Sequence, residues 1–154
     1  MSFNPQEMAK DILLRYWDGS LPVNPVTIAK KLDLNVIYGG ADLELSGSFD
    51  ADSHTIFINE DDSLNKQRFT IAHEIGHAVL GHGSSPRTKI RYNQANFQLK
   101  EYEANLFAAE LLMPIEAINY MIKQTEIGLK EMAEVFSVSS QALEIRLKRL
   151  GYLL

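Results

Sequence analysis

Two histidines four residues apart, with a glutamate and a glycine between them, constrain this chain more than any other feature: His73-Glu74-Ile75-Gly76-His77. An apolar stripe of Phe69, Ala72, Ile75 and Val79 runs through the same segment at helical spacing, which predicts a helix from about Leu64 to Leu80 that stops near Gly81. Residues four apart on a helix differ by about 40° around the axis, so His73 and His77 project side by side, the spacing at which two imidazoles share one metal ion. Glu74 stands beside the first histidine, where its carboxylate reaches a water on that metal. Zinc lowers the pKa of such a water to about 7, and a nearby glutamate takes its proton as it attacks a carbonyl. Gly76 is read as leaving room beside the metal, at a helix-propensity cost of about 1 kcal/mol.

A catalytic zinc takes three protein ligands and keeps one position open, so a third donor must come from elsewhere. The chain has no cysteine, and its other histidines are His54 and His82. His54 falls in an expected turn. On a continued helix, His82 sits about 140° round from His77 and points away. The metzincin pattern requires Gly at position 80 and His at 83, where this chain has Leu80 and Gly83. Glu101 is the better donor: in Glu101-Tyr102-Glu103-Ala104-Asn105 it shares a helical face with Asn105, one turn on. A carboxylate ligand next to an amide that orients a ligating histidine makes a sensible first and second shell. Two histidines and a carboxylate suit one zinc per chain, and also suit manganese or iron.

The rest of the 154 residues reads as one compact domain, with about 1–124 as its core and 125–154 as a helical subregion. Asn4-Pro5 and Asn24-Pro25 announce two N-terminal helices, the first with a capping-box-like Glu7 and a face of Met8, Ile12 and Tyr16. A strand at Asn35-Val36-Ile37-Tyr38 is stopped by Gly39-Gly40, and a hairpin pairs Gly47–Asp50 with Thr55–Asn59. The polar stretch from Gly83 to about Leu99 reads as a loop or flap. A second strong helix runs from about Lys100 to Met113 and ends at Pro114, and two or three short helices follow. Trp17 reads as core. The absence of cysteine, of a signal peptide and of any apolar run long enough to span a bilayer makes a cytoplasmic location the expectation. A net charge of −5 argues against whole-surface affinity for nucleic acid.

Arg68 through His77, followed by Glu101 through Pro114, resembles the ImmA/IrrE family of metallopeptidases. The strand Ile56–Asn59 and the tail from Phe136 to Gly151 are similar to that family too, so the likeness covers nearly the whole chain. The resemblance implies an α+β fold: a zincin-like domain with a small β-sheet packed on two metal-bearing helices, N-terminal helices, and a C-terminal helix-turn-helix-like cap. It also implies a cytosolic bacterial or phage enzyme paired with a helix-turn-helix (Xre-type) repressor that it cleaves. Carried over residue by residue, His73, His77 and Glu101 become zinc ligands and Glu74 the general base. Glu103, two residues from Glu101 and on nearly the opposite face, competes for the third position; only Glu101 has Asn105 one turn ahead.

For substrate, an extended peptide is expected to pair with the Thr55–Asn59 strand, placing Ile56, Phe57 and Ile58 against it. Tyr92 and Arg91 are candidates to meet the developing oxyanion. A rival reading comes from Leu129-Lys130-Glu131-Met132-Ala133 with Phe136, Val138 and the helix from Ser139, which have helix-turn-helix spacing. It would make the protein a DNA-binding or repressor-docking regulator with a non-catalytic metal site. Beyond Thr125, four bases (Lys130, Arg146, Lys148, Arg149) balance four acids (Glu126, Glu131, Glu134, Glu144), a weak footprint for DNA.

Overall fold

The structure is a computed structural model and describes residues 4–39, 46–84 and 94–153. Helix α1 (Pro5–Tyr16) and helix α2 (Pro25–Lys31) begin as the Asn-Pro pairs predict. Asn4 Oδ1 accepts from the Glu7 N–H at 3.1 Å, and Asn24 Oδ1 accepts from Val26 and Thr27 N–H at 3.0 and 3.2 Å. Each proline sits in the first turn, where its missing N–H has no helical partner to lose.

Strands β1 (Asn35–Gly39), β2 (Gly47–Asp50) and β3 (Thr55–Asn59) form one sheet in the order β1-β3-β2. The hairpin is as expected: β2 and β3 run antiparallel, with Gly47 opposite Ile58 and Asp50 opposite Thr55. On its other side β3 pairs in parallel with β1, Asn35 facing Thr55 and Gly39 facing Asn59. The strand expected to receive a peptide is therefore the central one. Both its edges are taken, and Ile56 and Ile58 are fully buried, so neither can grip a substrate.

Helix α3 (Leu64–Val79) carries the two histidines, and the sheet packs on it through β2 and β3. Its partner α4 (Gln94–Leu112) starts about six residues earlier than its apolar pattern suggests. The added turns have no apolar stripe to announce them, and Leu99 is exposed. Tyr92 and Arg91 lie outside the described residues. Helix α1 covers the outer side of α4.

Helices α3 and α4 approach closely, and the approach depends on Gly76. A Cβ at position 76 would stand 3.2 Å from both Cβ and Cδ1 of Phe107 and 3.3 Å from the Ala104 Cα. The glycine admits the backbone of α4, which corrects the expectation that it makes room beside a metal. Ala104, Phe107 and Ala108, all fully buried, fill that face.

Three short helices complete the chain: α5 (Ile115–Gln124), α6 (Leu129–Phe136) and α7 (Ser140–Arg149). Ser137 takes a left-handed conformation to end α6, and Ser139 Oγ caps α7 by accepting from the Ala142 N–H at 3.0 Å. Two arginines tie these helices to the metal-helix pair. Arg146, 4% exposed, donates to Glu110 Oε1 at 2.6 Å and to the Met113 carbonyl. Arg68 of α3 donates to the carbonyls of Val23, Phe136 and Ser137, satisfying groups left over at the end of α6.

Gly76→Ala separates the two forces at this contact. Helix propensity alone would stabilise the variant by about 1 kcal/mol. Two of the three atoms it meets are held by α4's own backbone, so overpacking, typically 1–3 kcal/mol, should win. Urea unfolding should show a net loss of about 1 kcal/mol; a gain of that size would mean the α3–α4 contact is loose.

Candidate metal centre

On α3, four-residue spacing sets His73 and His77 side by side, their rings 4.7 Å apart and nearly perpendicular. Their Nε2 atoms lie 3.1 Å apart and face the same point. From α4, the Glu101 carboxylate reaches that point too, with Oε1 3.4 Å from His73 Nε2 and Oε2 2.5 Å from His77 Nε2. Glu74, 3% exposed, belongs to the same cluster: one oxygen of its carboxylate lies within 4.8 Å of the histidine donor atoms.

The other face of each ring is occupied. His73 Nδ1 is 2.8 Å from Asn105 Oδ1, one turn along α4 from Glu101. That oxygen can only accept, so Nδ1 carries the proton and Nε2 presents a lone pair in the neutral ring. His77 Nδ1 is 3.0 Å from His82 Nδ1, and His82 Nε2 is 3.0 Å from Glu103 Oε1. Two imidazole lone pairs and a carboxylate thus point at one another, an electron-rich set that a divalent cation with nitrogen and oxygen ligands would relieve. The donor chemistry fits a metal.

His82 is the residue that reading along a helix misplaces. The helix does not continue: Gly81 turns left-handed at φ 71°, its N–H donates to the Ala78 carbonyl at 3.3 Å, and the His82 N–H donates to the His77 carbonyl at 3.0 Å. This pair of bonds is a Schellman termination, which folds the second residue past the helix back over the one that begins its last turn. Glycine after the last apolar position was the available signal. Glu103 is likewise not idle: Ala104 forms the contact line with α3, Glu101 and Asn105 flank it on one side, and Glu103 flanks it on the other, against His82. His54 lies in the β2–β3 turn with a left-handed backbone and is exposed.

Among the protein groups themselves, burial is the largest influence on Glu101 and would raise its pKa. Hydrogen bonds and charge from His73 and His77 together outweigh it and hold the carboxyl far below its ordinary range. Burial likewise disfavours a charged His73, but the Glu101 hydrogen bond, with Glu74 and Glu101 nearby, raises its pKa overall. His82 moves the other way, lowered by burial and then by the neighbouring His77, so its neutral form is favoured.

Beside the cluster, a cavity of about 560 Å³ opens between α3, α4 and α7. Phe69, Asn105, Ala109 and Met113 line it, together with Lys66 and Arg149. Asn105 lines the cavity and also meets His73, whereas His73, Glu74, His77 and Glu101 do not line it.

The chain is similar to known metallopeptidases. Residues 29–148 match the model of the Peptidase M78 family, described as the IrrE N-terminal-like domain. The chain is 30% identical over 129 residues to immunity region protein 2 of Bacillus phage phi105, covering 80% of this chain and 78% of that protein. It is 31% identical over 101 residues to the metallopeptidase ImmA of Bacillus subtilis, covering 65% of this chain and 59% of the relative. It is 34% identical over 102 residues to the radiation response metalloprotease IrrE of Deinococcus radiodurans, covering 62% of this chain but only 31% of that longer protein. In fold it is similar to a Mycobacterium tuberculosis transcriptional regulator, at TM-score 0.72 and 12% identity, over 96% of this chain and 47% of that one. With the matched span taking in α3, α4 and the helices behind them, the chain belongs to the Peptidase M78, IrrE N-terminal-like, family of metallopeptidases.

Proposed function

We propose that this chain is a zinc-dependent endopeptidase that hydrolyses a peptide bond in a helix-turn-helix (Xre-type) repressor, as a cytoplasmic regulatory switch. The observation that carries the reading is the convergence of His73 Nε2, His77 Nε2 and the Glu101 carboxylate, with both Nδ1 atoms engaged behind them. The phage relative's immunity-region name and the ImmA metallopeptidase name support a regulatory protein as substrate.

His73, His77 and Glu101 would hold the ion, one per chain. Bound there, a divalent cation supplies Lewis acidity, polarising the scissile carbonyl and making a water acidic enough to attack at neutral pH. Glu74 would take the proton of the attacking water and pass it to the leaving amine. Its burial places the carboxylate away from bulk solvent, where its charge acts strongly. Asn105 holds the His73 ring. The cavity lined by Asn105, Phe69 and Met113, with Lys66 and Arg149, would receive a substrate side chain. With β3 enclosed, the strands left for peptide pairing are the edge strands β1 and β2, of which β2 packs on α3.

The DNA-binding alternative rests on α6 and α7. Of its three clustered bases, Arg146 is turned inward onto Glu110, leaving Lys148 and Arg149.

Glu74→Gln should bind as much zinc as wild type, about one per chain, yet cleave the repressor encoded beside the gene some 10²–10⁴-fold more slowly. Equal cleavage by both would remove Glu74 from the chemistry. A pH series tests the ligand assignment. A raised His73 pKa stabilises the chelated protein fully below the ordinary histidine value of 6.5, and that contribution is lost as pH rises through the raised value. A lowered Glu101 pKa stabilises it above the ordinary carboxyl value of 4.5, lost as pH falls. The pair's contribution to Tm in chelator therefore peaks between those values. Zinc requires unprotonated His73, so the gain in Tm on adding zinc should grow as pH rises through that interval and beyond; a gain independent of pH would exclude His73 as a ligand.

A further inference from the structure

We propose that His82 and Glu103 form a positioning relay that fixes the His77 ring with its Nε2 lone pair toward the metal. The inference rests on the metal-site reading above and adds two residues to it.

The direction of the relay follows from its end. Glu103 is a carboxylate and only accepts, so the 3.0 Å contact to His82 Nε2 requires the proton on Nε2. Neutral His82 then has a lone pair on Nδ1, and the 3.0 Å contact to His77 Nδ1 requires His77 to donate. With its proton on Nδ1, His77 presents Nε2 bare, on the side where His73 Nε2 and Glu101 converge. Each link admits one orientation. A reversed chain would set the His82 lone pair against the Glu103 carboxylate.

The geometry is built, not incidental. The Schellman bonds from Gly81 and His82 place the His82 backbone under the last turn of α3, and Lys100 Nζ reaches the His82 carbonyl at 3.4 Å. The His82 side chain is 9% exposed and that of His77 4%, so the contact between them is shielded from competing water. Glu103 comes from α4, the helix that also supplies Glu101, so one helix braces His77 on both ring edges. The two histidines are supported differently: His73 by a neutral amide, His77 by a carboxylate acting through an imidazole. A carboxylate at the far end of such a chain raises the basicity of the ligating nitrogen and fixes its tautomer.

The test uses the full chain, stripped of metal and titrated with zinc against a chromophoric chelator. His82→Phe keeps the ring's bulk and removes the acceptor; it should weaken zinc binding about 10–100-fold. His82→Asn places Oδ1 where Nδ1 stood and should recover most of that loss, which a space-filling role would not allow. Glu103→Gln still accepts but carries no charge, and should weaken binding less than His82→Phe. Nitrogen-15 spectra give a readout separate from metal: His77 should show the Nδ1–H tautomer in wild type and His82→Asn, and a mixture in His82→Phe. Wild-type zinc affinity in His82→Phe overturns the relay, as does equal weakening in the Phe and Asn variants. His73→Ala serves as the control on the metal site itself. If it binds zinc as wild type does, the site assignment fails and the relay with it. If it loses zinc while His82→Phe does not, the relay alone fails.

Discussion

The contact between Gly76 and the backbone of α4 is the constraint on which the rest of the site depends. Two helices carrying side chains at their crossing pack at 8–10 Å. Here the Ala104 Cα and the Phe107 ring fill the space a Cβ at 76 would take. That approach lets Glu101, three residues before Ala104, reach across to His77, and sets Glu103 against His82. A wider crossing would leave two histidines on one helix with no third partner. The small residues at this point therefore act through helix spacing, with no contact of their own to the reacting atoms.

The supports behind the crossing distribute its load. Arg146 neutralises Glu110, which is 2% exposed on α4, and binds the carbonyl of Met113 just past that helix. Arg68 does the equivalent for α3, bonding to carbonyls at the end of α6. A buried ion pair contributes little net stability but is costly to break from one side. The C-terminal helices are thus fastened to α3 and α4 by two arginines, of which Arg146 belongs to the basic cluster on α7. Arg146 in particular is unavailable to a nucleic acid, and its inward turn shapes one wall of the cavity beside Asn105.

Much of the centre was legible in the chain. The i, i+4 histidines and the Glu101–Asn105 pair need only regular helices, and regular helices formed there. The hairpin was equally local, set by a polar turn between two short strands. What was not legible is what local pattern does not encode. The central place of β3 comes from parallel pairing with β1, some twenty residues earlier, and no alternation within Thr55–Asn59 announces it. The early start of α4 lies on an exposed surface where no apolar stripe is needed. His82 was lost by carrying the helix past its end at Val79: the left-handed Gly81 turns the chain back.

The central claim is that His73, His77 and Glu101 surround one ion. Crystals of the zinc-loaded protein, with diffraction recorded on both sides of the zinc absorption edge, test it most directly. A single strong anomalous peak per chain is expected, about 2.0–2.2 Å from both Nε2 atoms and a Glu101 oxygen. A peak that bound His82 or Glu103 in place of Glu101, or none at this cluster, would contradict it.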